Sequence, residues 1–250
     1  MRPLIGVSSG SAPALDAAAL AGLVLSSGGT AVDVREGKGH AWEAGGLDAL
    51  RAAGAEVCFV GVSTVLGAPE HPTGSIDALR MPERGLPVKV FAAAGCTAPD
   101  RLALTLAQVG ALAARVGDSS LVLVETHHGY ADVPELEELC HRAGTSVLLD
   151  TMGLARIDGD PVAAAARLAS WIPYAQVKGF DWEQPGTSRH RPLASARPEL
   201  TRKVLDAAGE LRAVTVESKA PSLAEDIALL LEWYPPDPSP SQALSEETPS

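Results

Sequence analysis

Short apolar runs rich in valine alternate along the chain with longer segments in which apolar residues recur at helical spacing. Runs that are apolar at nearly every position are typical of strands buried on both faces of a sheet. The eight runs span residues 3–9, 30–36, 56–63, 88–94, 120–126, 146–151, 174–180 and 213–218. The segments of helical period span residues 13–27, 44–54, 76–80, 99–116, 134–143, 160–170, 196–209 and 222–233. Each run therefore predicts a strand, and each segment predicts the helix that follows it.

The alternation of eight strand–helix pairs predicts a parallel sheet with right-handed crossovers. Eight repeats in a chain of 250 residues favour closure into a (β/α)8 TIM barrel, an α/β fold, over an open doubly wound sheet. We assign residues 1–234 to this single domain. Local signals mark boundaries of two helices: Pro134 and Gly144 bracket one helix, and Ser222 with Glu225 forms a capping-box pattern at the start of another.

The last residues, 235–250, break this pattern. They read PPDPSPSQALSEETPS, with no apolar periodicity and many Pro, Ser and Glu residues. A segment of this composition buries too little apolar surface to offset the entropy lost on ordering. We therefore predict a disordered C-terminal tail after the barrel.

Composition disfavours several classes of protein. The net charge of −11 argues against a nucleic-acid partner, because binding phosphates needs a basic face. The loop after the first strand reads SSGSAP rather than GxGxxG, so we expect no nucleotide cofactor. No run approaches the ~18 apolar residues that span a bilayer, and the first residues lack a signal-peptide pattern, so we expect no membrane association and a cytoplasmic location. Cys58, Cys96 and Cys140 are widely spaced, which predicts buried thiols rather than disulfides.

Carboxylates recur where the later strands end. Glu125, Asp150 and Glu217 end strands five, six and eight, and Gln176 and Lys178 lie in strand seven. In a barrel these ends meet at one face, where active sites are built. Like charges in one cavity repel, so such a cluster has to take up protons or gain a cation. Oxygen ligands of this kind favour Mg²⁺ or Mn²⁺, and a nearby histidine would shift the preference toward Zn, Co or Fe.

Basic residues lie on the same predicted face. Arg35 ends strand two, His40 follows it, His127 follows strand five, and Lys219 follows strand eight. With Lys178, these residues are candidates for binding the substrate. The lysines have a structural alternative as salt-bridge partners, and His40 has one as a solvated loop residue. Each of the three carboxylates, in turn, has one as a cap of the next helix or as a solvent-exposed group.

The residues at the strand ends carry a family resemblance. Five stretches lie at strands two, five, six, seven and eight, and they read in order VDVREGKGHAW, LVLVETHHG, SVLLDTMG, YAQVKGF and VTVESKAPSLAED. Together they resemble the xylose isomerase-like TIM barrel superfamily of sugar-phosphate isomerases and epimerases. The likeness spans nearly all of the predicted barrel.

The resemblance implies a divalent metal held by side chains of strands five to eight. The metal ligands that it implies are Glu125, Asp150, Gln176 and Glu217, with Gln176 where the family has a histidine. Two further family positions differ as well: Gly153 replaces a second histidine, and Gly179 replaces an acidic residue. A glutamine carbonyl binds a hard cation more weakly than imidazole does, so these differences leave retention of the metal open.

The resemblance implies an isomerase or epimerase that acts on a small sugar-like substrate by proton transfer next to a carbonyl. The metal would stabilise the enediolate, and Glu125 and Glu217 would be the two acid/base groups. One alternative is an inosose-dehydratase-like lyase. Another, motivated by Gln176, is a metal-free barrel recruited to specialised biosynthesis or to ligand binding. Six histidines and an acidic chain disfavour the histidine-rich endonuclease branch of the superfamily. Barrels of this kind often pair, so a homodimer is one expected assembly.

Overall fold

The computed structural model describes residues 2–235, so residues 236–250 of the predicted tail lie outside the described residues. Eight parallel strands pair in chain order, and β8 pairs with β1 to close the barrel. The strands are β1 Leu4–Ser8, β2 Ala31–Arg35, β3 Glu56–Leu66, β4 Val88–Ala92, β5 Val122–Glu125, β6 Ser146–Asp150, β7 Tyr174–Val177 and β8 Ala213–Val216. The predicted single-domain (β/α)8 barrel is confirmed, and each apolar run supplies one strand.

Helices surround this barrel. Within the described residues they are α1 Ala17–Ser26, α2 Gly46–Ala52, α3 Thr73–Asp77, α4 Leu102–Val116, α5 Val133–Ala143, α6 Thr151–Ile157, α7 Pro161–Leu168, α8 Pro198–Ala207 and α9 Leu223–Trp233. None of the helices in residues 2–235 has the length and apolarity required to cross a membrane.

The segment after β6 differs from the prediction. It holds two helices, α6 and α7, where the pattern predicted one at 160–170. Helix α6 begins directly where β6 ends, because Oδ1 of Asp150 accepts the backbone N–H of Gly153 at 2.6 Å and so caps the helix. The carboxylate at this strand end therefore caps the next helix, which is the structural alternative that its position allowed.

Helix α5 begins and ends close to its predicted bounds. Asp132 and Glu135 form a capping box at its start, where Pro134 occupies the first turn. Gly144 ends the helix in the left-handed conformation, with φ 67°.

The predicted capping box at Ser222 is wrong. The Ser222 side chain makes no capping hydrogen bond to α9. Its hydroxyl donates instead to Oδ2 of Asp226 at 3.0 Å, and Oδ1 of Asp226 accepts the backbone N–H of Leu193 at 2.8 Å. Ser222 and Asp226 together tie the start of α9 to the loop after β7.

Side chains inside the barrel change from apolar to charged along its axis. An apolar plug fills the end where the strands begin, and it consists of Ala31, Cys58, Phe59, Leu123, Leu148, Tyr174 and Ala213. A larger apolar cluster packs the outer face of the strands against the helices. Because the plug occupies only the lower part of the interior, polar groups fill the part toward the C-terminal strand ends. Cys58, Cys96 and Cys140 are free and buried, as predicted.

Candidate active site

A buried polar layer lies directly above the apolar plug. Asp150, Gln176 and Thr215 are neighbours on β6, β7 and β8 because the strand register pairs them. Asp33 on β2 accepts hydrogen bonds from the Gln176 amide at 3.1 Å and from the Thr215 hydroxyl at 2.6 Å. All four side chains are buried. The sequence pattern missed Asp33, which fixes the orientation of the Gln176 amide.

A connected set of ion pairs covers this polar layer. The ammonium of Lys178, just past β7, lies 2.5 Å from Oδ2 of Asp150 and 3.4 Å from Oε2 of Glu217. The other oxygen of Glu217 pairs with the guanidinium of Arg35 at the end of β2. The structure thus brings four of the predicted site residues together, with Lys178 between two carboxylates.

A second ion pair on the neighbouring strands extends the cluster. Lys89 on β4 pairs with Glu125 at the end of β5, and both side chains are almost fully buried. The Lys89 ammonium also lies 4.0 Å from the centre of the Phe91 ring. Phe91 stacks on Tyr130 and meets the ring of His127 edge-on. His127 therefore belongs to an aromatic group beside the Lys89–Glu125 pair.

The ionisation of the cluster follows from burial and from these contacts. Burial opposes the charge of Glu217, but Lys178 and Arg35 outweigh it and lower its pKa to about 2. Burial also opposes the charge of Lys178, yet Asp150 and Glu217 raise its pKa above the ordinary value. Asp33 behaves differently, because burial has the largest effect and raises its pKa. Lys178 and Glu217 are therefore both ionised at neutral pH.

Main chain lies directly against Gly153 and Gly179, the two glycines that replace a histidine and an acidic residue of the family pattern. A Cβ atom on Gly153 would lie 1.9 Å from the carbonyl oxygen of Thr126, and one on Gly179 would lie 2.3 Å from that of Arg191. Gly179 and Arg191 form an isolated antiparallel bridge. A side chain at either position would collide with main chain. The two differences from the family pattern are therefore part of how this backbone packs.

The ligand set that the resemblance implies does not fit a metal ion as it is arranged. Among residues 2–235 no group of three or more His, Cys, Asp or Glu side chains is disposed to hold one. Asp150 uses one oxygen on Gly153 N–H and the other on Lys178, and both oxygens of Glu217 are ion-paired. Like unit charges 4 Å apart repel by about 4 kcal/mol at an effective dielectric constant of 20, so a metal here would have to displace Lys178.

The remaining predicted residues lie around the rim. His40 is half-buried, and its Nδ1 lies 3.2 Å from the hydroxyl of Ser9. Lys219 is exposed, and its backbone N–H donates to Nδ1 of His190 at 3.0 Å. Burial and the charge of Lys178 lower the pKa of His190, which places this imidazole beside the cluster. The sequence pattern missed His190, since a lone histidine in a loop gives no signal.

A small cavity opens beside the ion pairs. Its volume is about 70 Å³, and its charged lining residues are Arg35, Lys38 and Lys89, with Phe91 and Gly61 beside them. A Cβ atom on Gly61 would lie 3.1 Å from Cε of Lys89, so glycine keeps the cavity open there. It has room for a few water-sized groups, and a ligand of sugar size would extend above it into the mouth.

A larger cavity lies at the opposite end of the barrel. It measures about 880 Å³, and it is lined by residues where the strands begin, among them Leu4, Val57, Tyr174 and Arg212. The apolar plug separates it from the charged cluster. Active sites of these barrels lie at the C-terminal strand ends. We therefore place the candidate site at the charged mouth and not in the larger cavity.

Fold and site together define a parallel (β/α)8 barrel with a buried cluster of carboxylates and cations at the ends of its strands. Comparison with solved structures makes this class more specific. A xylose isomerase domain-containing protein from Salmonella typhimurium LT2 matches with a TM-score of 0.62 and 17% identity, over 94% of this chain and 96% of that one. The chain therefore has the fold of the xylose isomerase-like TIM barrels.

Two further solved structures share this fold. A probable 3-DHS dehydratase from Bacillus anthracis has a TM-score of 0.61 and 14% identity, covering 94% of this chain and 100% of that one. The apo form of 3-keto-D-glucoside 4-epimerase from E. coli has a TM-score of 0.61 and 14% identity, covering 93% and 99%. No family model and no curated protein sequence matches the chain.

Proposed function

We propose that the barrel mouth catalyses proton transfer next to a carbonyl of a small sugar-like substrate, as an isomerase or epimerase. The observation that carries this proposal is the convergence of Glu125, Asp150 and Glu217 with Lys178 at the C-terminal strand ends. Carboxylates are suitable bases for such a proton, and fixed cations stabilise the oxyanion that forms. Solved structures with this fold include sugar epimerases and a dehydratase, which supports an enzyme of this class.

Glu217 is the better placed of the two predicted acid/base groups. Its side chain is 11% exposed, whereas that of Glu125 is 2% exposed, so a substrate in the mouth reaches Glu217 first. Lys178 and Arg35 hold its two oxygens and keep its pKa low, so Glu217 becomes an effective base when a substrate takes their N–H donors for its own oxygens. Glu125 lies deeper, on Lys89, and is the second group.

The reaction needs no atoms beyond the substrate and these side chains. Glu217 takes a proton from the carbon next to the carbonyl, and the electron pair of that C–H bond forms a C=C bond while the carbonyl oxygen becomes an enolate. The Lys178 ammonium donates a hydrogen bond to this oxygen. Return of the proton to the former carbonyl carbon, while the hydroxyl proton of the first carbon moves to the enolate oxygen, gives an isomer. Protonation of the first carbon on its opposite face by the second acid/base group, Glu125, gives an epimer and leaves the abstracted proton on Glu217.

Deuterium exchange tests the proposal. Incubation with L-ribulose and D-tagatose in D2O should place deuterium at a carbon-bound position, and Glu217→Gln should slow the exchange by about 10²–10⁴-fold because a positioned base is lost. Glu210→Gln, an exposed change at the other end of the barrel, is the control and should exchange like the wild type. Full recovery of both sugars without any carbon-bound deuterium, after incubation with the wild-type enzyme, would contradict the proposal.

A dehydratase uses the same first step and then expels a β-hydroxyl group. The dehydratase among the structures with this fold favours it as the second candidate function. The mass of the product separates the two, since a dehydratase yields a product lighter by one water molecule. Appearance of that product alone would assign the site to a lyase.

A further inference from the structure

The charges at the mouth balance without a metal ion. Three carboxylates, Glu125, Asp150 and Glu217, face three cations, Arg35, Lys89 and Lys178, and every carboxylate has at least one cationic partner. Carboxylates that converge in one cavity need a counter-charge, which protein side chains supply here as well as a metal could.

Lys178 occupies the central position of this arrangement. Its ammonium bridges Oδ2 of Asp150 and Oε2 of Glu217, two of the four residues that the family resemblance assigns to the metal. Gln176 is another of these four residues, and its amide Nε2 donates to Oδ2 of Asp33 at 3.1 Å. A bridging ammonium and a divalent cation cannot share the space between the same two oxygens.

The surrounding backbone keeps this arrangement in place. The Cα atoms of Gly153 and Gly179 lie against carbonyl oxygens of Thr126 and Arg191, so the imidazole and carboxylate of the family pattern have no room. Oδ1 of Asp150 is committed to the N–H of Gly153 and fixes the carboxylate with Oδ2 toward Lys178.

We propose that Lys178 takes the place of the divalent cation in this barrel and that the mouth is a metal-independent site built on lysine and arginine. The catalytic consequence rests on the proposed function, because Lys178 then supplies the positive charge for the enolate oxygen. The occupancy of the site by Lys178 instead of a metal does not depend on that function.

Direct measurement of Mn²⁺ binding tests the proposal without an assay of activity. The probe is Mn²⁺ alone, titrated into chelator-treated full-length protein and followed by the EPR signal of the free ion. Wild type should hold no stoichiometric Mn²⁺. Lys178→Met vacates the space between Asp150 and Glu217, and the variant should bind one Mn²⁺ at least 10-fold more tightly than wild type does.

Two further variants complete the experiment. Lys203→Met, on the exposed face of α8, removes the same charge elsewhere and should behave as wild type. Adding Asp150→Asn to Lys178→Met should abolish the acquired binding. Lys178→Gln, which keeps hydrogen-bonding capacity, replaces Lys178→Met if circular dichroism shows that the methionine variant is unfolded.

Stoichiometric Mn²⁺ on the wild-type protein would overturn the proposal, as would a folded Lys178 variant with no gain of binding. These outcomes are independent of the deuterium exchange. If exchange fails while Lys178→Met acquires Mn²⁺, the proposed reaction is wrong and the assignment of Lys178 stands. If exchange succeeds while wild type binds Mn²⁺ at this site, the assignment of Lys178 is wrong and the proposed reaction stands.

Discussion

At the scale of single residues, Asp226 shows what a buried carboxyl contributes away from the site. Burial raises its pKa above the ordinary value, more than the hydrogen bonds from Leu193 and Ser222 lower it, and nearby Glu225 adds to the rise. When folding raises the pKa of an acid, its ionised form is less stable in the folded protein than in the unfolded chain. Its ionisation therefore costs stability as the pH rises through the unfolded value of 3.8.

We predict that the free energy of unfolding of Asp226→Asn, relative to that of wild type, increases from about pH 4 to about pH 7. Asparagine can still accept the Leu193 N–H and cannot ionise. Asp226→Ala, the matched control, also cannot ionise but leaves that buried N–H without a partner, so it should be less stable than Asp226→Asn by about 1–3 kcal/mol at both pH values. Urea unfolding at the two pH values measures these differences. A stability difference between Asn and Asp that stays constant, or that shrinks as the pH rises, would refute this account of Asp226.

Residue by residue, the sequence showed five of the six charged residues of the cluster, all but Lys89. Glu125, Asp150, Glu217 and Lys178 stand out because charged groups end apolar runs, and the structure brings all four together. Their role as metal ligands or catalytic groups stays a prediction. Lys89, within the run at 88–94, was missed, although one charge inside a strand buried on both faces is a signal that could have found it.

At the scale of elements, helix α6 and the strand before it depend on one glycine. Gly153 lets α6 approach the main chain at Thr126, where a Cβ atom would lie 1.9 Å from the carbonyl oxygen. We predict that Gly153→Ala destabilises the fold by about 1–3 kcal/mol or more, because backbone has to move to admit a methyl group.

Gly110→Ala is the matched control for this prediction. Gly110 lies within α4, and a Cβ atom there would meet nothing within 4 Å. Alanine should therefore stabilise the protein by about 0.5–1 kcal/mol through helix propensity. Urea unfolding of the two variants measures both effects. Equal effects of the two substitutions would show that α6 does not need the close approach.

The strands followed from the sequence more readily than the short helices did. An apolar run identifies a strand buried on both faces whatever its neighbours are, so all eight were predicted. Helix α6 has seven residues and is held by a cap from Asp150 and by packing at Gly153. Neither contact appears in the periodicity of the chain. The capping box at Ser222 failed for a similar reason, since Asp226 takes its hydroxyl.

At the scale of the whole molecule, the barrel brings charges from β2, β4, β5, β6, β7 and β8 to one end and closes the other with an apolar plug. The protein as a whole is acidic, with a net charge of −11. In the ion-pair cluster at the mouth, however, three carboxylates are matched by three cations. Composition could not show this balance, because closure of the barrel decides which charges meet.

On our proposal, Lys178 fills the position of a metal ion between Asp150 and Glu217. Anomalous scattering from crystals soaked in Mn²⁺ shows which cation lies there. We predict no anomalous peak between these two carboxylates, with the Lys178 ammonium bridging Asp150 and Glu217 as in this structure. A fully occupied manganese peak within bonding distance of these carboxylates and Oε1 of Gln176, with Lys178 displaced, would contradict the claim.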